Sequence, residues 1–117
     1  MNRWSFLFLS IVIFVGSSNA APEADAIWID VRTPTEYKNS HVTGAINIPF
    51  DHIRAEIDKI TTNKNAIIML YCRSGRRSEL AKQTLKELGY QNVINRGGID
   101  DVLRRAENQT TSEASLD

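Results

Sequence analysis

The chain has 117 residues, one cysteine and balanced charge, with 14 Lys and Arg against 14 Asp and Glu; 42% of it is hydrophobic and 24% charged. That length permits one domain, and the zero net charge supplies no broad basic field, which argues against a nucleic-acid partner. One cysteine rules out an internal disulfide and leaves a structural zinc site without its usual paired ligand spacing, so neither staple is expected.

In chain order, the first twenty residues have the pattern of an export signal. Arg3 is followed by an apolar run from Phe6 to Val15 broken only by Ser10, then by small residues with Ser18 and Ala20 placed for cleavage before Ala21. A retained anchor is the alternative, but a run of about ten apolar residues falls short of the roughly 20 that span a bilayer. Removing residues 1–20 leaves 97, expected as a domain over 21–106 and a disordered tail over 107–117, with no stable membrane anchor. Ile27 to Val31 is a β-branched strand. Thr33, Pro34 and Glu36 then give a helix start with a capping box. Gly44 to Pro49 is a brief second strand, and Asp51 is placed to cap a helix whose Ile53, Ile57 and Ile60 share a face. Ala66 to Tyr71 is the most continuously apolar segment, as expected of a central strand covered on both faces. Leu80, Ala81, Thr84, Leu85 and Leu88 line one side of the next helix, which Gly89 stops. Val93-Ile94 is a short strand, and Gly97-Gly98 turns into a last helix through Leu103. Strands alternating with helices predict an α/β sandwich with a mainly parallel sheet.

The cysteine falls at the most informative place in this pattern. Cys72 follows the central strand and opens Cys72-Arg73-Ser74-Gly75-Arg76-Arg77-Ser78, which leads into an amphipathic helix. The carboxyl end of a strand facing a helix start is where open α/β sheets bind ligands, and the unpaired amides there favour an anion. The same field favours a thiolate, three arginines reinforce it, and Gly75 lets the backbone curl into an anion nest. A buried core cysteine is the alternative. It fits poorly with the small, polar and cationic residues that follow.

From about Ile27 to Val102 the chain resembles the single-domain rhodaneses, and among them the small exported type. The resemblance rests on Ile29-Asp30-Val31-Arg32, on Glu36-Tyr37 leading to His41-Val42-Thr43-Gly44-Ala45-Ile46-Asn47-Ile48-Pro49, on Tyr71 with the cysteine loop, and on Gly97-Gly98. It implies a three-layer sandwich and a thiosulfate sulfurtransferase that needs no metal or organic cofactor, with Cys72 taking the outer sulfur of thiosulfate as a persulfide and passing it to cyanide or a thiol. Arg73, Ser74, Gly75, Arg76, Arg77 and Ser78 would then form the substrate-binding loop. In it Arg73 and Arg76 are the candidates for sulfonate contact, and Arg77 for either that or bracing. Asp30 and Arg32 match an early acidic and basic pair read as structural support near the site, His41 as a turn-stabilising residue, and His52 as a surface one. Two departures from the family pattern stand out: Ser40 where many members carry Gly, and Val102 where many carry Trp.

A phosphatase or arsenate reductase is the nearest enzymatic rival, but its C-x5-R loop would need arginine at Ser78, and Arg77 arrives one residue early. A persulfide carrier with little thiosulfate turnover is the rival from outside catalysis. Export implies the periplasm, or secretion where the source has a single membrane.

Overall fold

The computed structural model describes residues 25–114. The expected signal segment and its cleavage point after Ala20 lie outside the described residues, as do the last three positions. In chain order the elements are β1 (Ile27–Asp30), α1 (Pro34–Asn39), β2 (Ile46–Asn47), a 3-10 turn (Phe50–His52) running into α2 (Ile53–Ile60), β3 (Ile67–Cys72), α3 (Arg76–Glu87), β4 (Asn92–Gly98) and α4 (Ile99–Ala114). The strands form one sheet in the order β2-β1-β3-β4, and all three pairings are parallel.

Side-chain alternation along β3 divides the interior into two layers. Ile68, Leu70 and Cys72 join Ile53 and Ile57 of α2 and Ala81 and Leu85 of α3 in one aliphatic cluster. Tyr71 points the other way and packs with Ala45, Ile99 and Val102, placing α4 on the opposite face. The result is the expected three-layer α/β sandwich, with β3 covered on both sides and buried from Ile68 to Cys72.

The helix ends follow local chemistry closely. Thr33 Oγ1 accepts the Glu36 amide at 3.2 Å while Glu36 Oε1 accepts the Thr33 amide at 3.1 Å, and Pro34 takes the first helical position. At the other end of α3, Gly89 is left-handed at φ +100°; its amide donates to Lys86, and that of Tyr90 donates to Leu85, closing a Schellman motif.

Four sequence expectations need correction. Asp51 does not cap α2: the His52 amide bonds back to the Pro49 carbonyl, tightening the chain into a 3-10 turn that contains Asp51, and no side chain caps the helix. β4 is longer than Val93-Ile94, because pairing with β3 recruits Asn92 and residues 95–98 despite their poor strand propensity. Leu80 is 42% exposed, since α3 turns Ser78, Ala81 and Leu85 inward instead. Finally, α4 continues beyond Leu103 to Ala114, where no Gly or Pro interrupts it and the Thr110 and Thr111 hydroxyls donate to carbonyls one turn back. Its described side chains beyond Val102 are all exposed and add nothing to the core.

Candidate functional site

Cys72 is the last residue of β3, and the alternation that aims Ile68 and Leu70 at α2 and α3 aims its sulfur the same way, fully buried. The chain then leaves the sheet over Arg73 and Ser74 and reverses at Gly75, whose φ of +98° suits a residue without Cβ, before α3 begins at Arg76. This curl points the Gly75 amide at the sulfur, with N to Sγ at 2.9 Å, and brings Ser78 Oγ to 3.4 Å. Burial among aliphatic neighbours pushes the Cys72 thiol up. The Ser78 hydroxyl and the backbone amides of Ser78, Ser74 and Gly75 more than offset it, so the thiol ends below its ordinary value of 9.0. Loop hydrogen bonds, as the helix-start amides predict, are what favour the thiolate, with the arginine charges adding to them at most.

Those arginines separate by role. Arg77 forks onto Glu36, Nη1 to Oε1 at 2.7 Å and Nη2 to Oε2 at 3.1 Å, so it fastens the first turn of α3 to α1. Arg73 and Arg76 are exposed. Arg73 also borders a polar cleft of about 260 Å³ whose wall includes Arg32, Glu36, Ser40 and Asp100. Neither Cys72 nor Arg76 is on that wall. Ser78 is fully buried.

Asp30 and Arg32 form a buried fork beside this ground. The Asp30 carboxylate accepts the Arg32 amide at 2.9 Å, Nε at 2.9 Å and Nη2 at 2.7 Å, and Nη2 also donates to the Ser40 carbonyl at 2.6 Å. Ser40 is extended at φ −168°, a conformation open to any residue, so the glycine common in the family is not required here. His41 stacks on Tyr37 with ring centres 3.8 Å apart and its Nδ1 donates to the Tyr37 carbonyl at 2.9 Å, which is a turn-holding arrangement. His52 is exposed at the end of the 3-10 turn, just before α2. Val102 is buried, and the aromatic mass beside it comes from β1 and β3, where the Trp28 and Tyr71 rings meet at 6.4 Å. Among the described residues no His, Cys, Asp and Glu cluster could hold a metal ion.

Two features were not read from the sequence as part of the site. Asn95, on β4, accepts the Ser78 hydroxyl at 2.7 Å and the Gly97 amide at 2.9 Å, and donates to the Gly75 carbonyl at 3.0 Å. Its separation from Cys72 along the chain hid it, although its place two residues before Gly97-Gly98 was visible. The second is the reason for that glycine pair. A Cβ on Gly98 would collide with the Arg73 carbonyl oxygen, and one on Gly75 would stand 3.4 Å from Gly97 Cα, so the loop lies directly against the end of β4.

A parallel sheet with a cysteine loop at the carboxyl end of its central strand defines a class, and comparison with known proteins agrees. The rhodanese-like domain model matches residues 17–104, and the chain belongs to that family of sulfurtransferases. It is similar to the thiosulfate sulfurtransferase PspE of Escherichia coli, 45% identical over 75 residues covering 64% of this chain and 72% of PspE. It is also 39% identical over 67 residues to a Bacillus subtilis protein named "Putative sulfur carrier protein YrkF", covering 57% of this chain but only 35% of that one. Among solved structures, a rhodanese with anions from E. coli superposes with a TM-score of 0.63 at 45% identity, over 65% of this chain and 89% of the other.

Proposed function

We propose that this sulfurtransferase takes the outer sulfur of thiosulfate through Cys72. The thiolate attacks that sulfur, the S–S bond of the donor breaks, and sulfite leaves with the bonding pair. Cyanide or a thiolate then attacks the terminal sulfur of the persulfide, giving thiocyanate or an acceptor persulfide and returning the Cys72 thiolate. The observation that carries the reading is the 2.9 Å approach of the Gly75 amide to a buried sulfur, with Ser78 at 3.4 Å. These donors oppose the cost of burying a charged sulfur. The amides of Arg73 to Ser78 are the groups to receive the anionic terminal sulfur, and Arg73, at the edge of the polar cleft, is the first candidate to meet the sulfonate oxygens. Arg77 fits bracing better than substrate contact, since Glu36 engages both its terminal nitrogens. The same engagement speaks against a phosphatase, which would need an arginine closing over the anion.

A sulfur carrier is the second reading. Full burial of Sγ favours it, because a covered persulfide is protected from indiscriminate acceptors until a partner opens the loop. The Arg3 charge, the apolar run and the small residues before Ala21 support export to the periplasm. Among the described residues no helix is long and apolar enough to cross a membrane.

Mass spectrometry with thiosulfate tests the main reading. The expected result is a gain of one sulfur atom on Cys72, its removal by cyanide with release of thiocyanate, and neither event in Cys72→Ala, which should lose all measurable transfer while staying folded. Formation of the persulfide without appreciable turnover selects the carrier. An unchanged mass and no thiocyanate reject both.

A further inference from the structure

The Ser78 hydroxyl has one proton and three acceptors within reach: Asn95 Oδ1 at 2.7 Å, the Gly75 carbonyl at 3.1 Å and Cys72 Sγ at 3.4 Å. Ser78 is fully buried, so the choice is made among protein atoms rather than water. The Asn95 amide cannot flip to avoid the competition. Its oxygen receives the Gly97 amide at 2.9 Å and its nitrogen serves the Gly75 carbonyl at 3.0 Å, two backbone partners of opposite polarity that fix which end faces Ser78.

Two proton arrangements satisfy this chain. With Cys72 as a thiol, the sulfur donates its proton to Ser78 Oγ, and Ser78 donates to Asn95. With the sulfur anionic, no proton comes from Cys72, and the hydroxyl turns its own proton to Sγ. Asn95 Oδ1 then keeps the Gly97 amide, so no buried polar group is stranded.

We propose that Asn95 is a positioning residue that acts on Cys72 through the Ser78 hydroxyl, holding the hydroxyl proton while the sulfur is a thiol and yielding it when the sulfur becomes an anion. The inference deepens the reading of Cys72 as the sulfur-carrying nucleophile and rests on it. In consequence Asn95 stabilises the thiol form: the Ser78–Asn95 bond is present with the thiol and given up with the thiolate. Asn95 also tethers the Gly75 carbonyl and, at 3.1 Å, Glu79, which a purely structural role would use alone. The experiment has to separate the two.

Thiolate formation is followed by ultraviolet absorbance against pH, with Cys72→Ala as the blank; one cysteine makes the signal unambiguous, and no thiosulfate is needed. Failure here therefore leaves sulfur transfer standing. Asn95→Ala is compared in the Ser78 and Ser78→Ala backgrounds. The charged groups around the site, Asp30 of β1, Arg32 just beyond it, Glu36 of α1, Arg73 of the loop, Arg76, Arg77 and Glu79 of α3 and Asp101 of α4, are the same in both arms and cancel. Asn95→Ala should lower the Cys72 titration midpoint by about half a unit to one unit when Ser78 is present, the worth of one neutral hydrogen bond, and leave it unmoved in Ser78→Ala. No shift, a rise, or equal shifts in the two backgrounds overturn the proposal. Should Asn95→Ala fail to fold, Asn95→Asp keeps the side-chain volume and competes harder for the hydroxyl proton. It should raise the midpoint more with Ser78 than without it, and equal rises again overturn the proposal.

Discussion

Two ion pairs of the same length brace the region around the cysteine loop in different surroundings. Asp30–Arg32 closes at 2.7 Å with side chains 0% and 6% exposed; Glu36–Arg77 also closes at 2.7 Å, with side chains 22% and 27% exposed. Distance alone would rate them alike. Their worth differs because a charge that loses its partner can be rescued by water only where water reaches it. The buried fork is a permanent part of the frame that ties the end of β1 to Ser40. The half-covered pair is a strap between α1 and α3, two elements that the sheet does not join directly.

Breaking the buried pair gives the largest effect on stability. Asp30→Ala leaves the Arg32 guanidinium with the Ser40 carbonyl and the face of Tyr71, 5.8 Å from the ring centre, and should cost about 3–5 kcal/mol in a denaturant titration. Replacing both partners by apolar residues, Asp30→Leu with Arg32→Met, should recover part of that loss, since no charge is then stranded. If Asp30→Ala costs no more than Arg77→Ala, burial is not what separates the pairs. Arg77→Ala comes next, at about 1 kcal/mol near neutral pH. Its mark is the pH dependence. The Arg77 fork, and after it the Thr33 amide and hydroxyl, hold the Glu36 carboxyl at about 2 against an ordinary 4.5, with burial opposing them. A depressed carboxyl contributes stability above its unfolded value and loses it as pH falls through the folded one. The gap between wild type and Arg77→Ala should therefore be constant above that ordinary value, narrow on acidification, still be partly open at pH about 2, where the folded carboxyl is half protonated, and close only below it. A gap independent of pH would assign the effect to packing of the arginine stem.

How much of this was legible depended on whether the cause was local. The capping box at Thr33 and Glu36, the buried run of β3, the Ile53 and Ile57 face and the cysteine at a strand end are set by neighbours within a few residues, and all stood in the sequence. Glu36 shows the limit. Its capping role was readable three residues away, whereas its second role, gripping Arg77 across 41 positions, exists only because the sheet brings α1 and α3 together. Asn95 reaches Ser78 and Gly75 in the same non-local way. Leu80 shows a different failure. The apolar pattern of α3 predicts it inside, but the buried stripe is narrower and runs through Ser78, Ala81 and Leu85, so a polar residue at the site takes the inward place and Leu80 stands on the flank. Asn, Arg and Gly are poor strand formers, so propensity predicts only the short centre of β4, yet these residues put Asn95 and the glycine pair beside the loop.

The smallest effect belongs to a third pair that completes the series. Arg54 and Glu87 join α2 to α3 at 2.8 Å, nearly the distance of the other two, with side chains 56% and 64% exposed. Water already serves both ends, salt screens what attraction remains, and ordering two long side chains offsets part of it. Arg54→Ala should change stability by no more than about 0.5 kcal/mol at low salt, and by less as ionic strength rises. Sulfur transfer should not move, because the pair lies on the helical layer away from the loop's contacts. A loss as large as that of Arg77→Ala would mean that the α2–α3 seam, rather than the partners of the cysteine loop, sets the stability of this face.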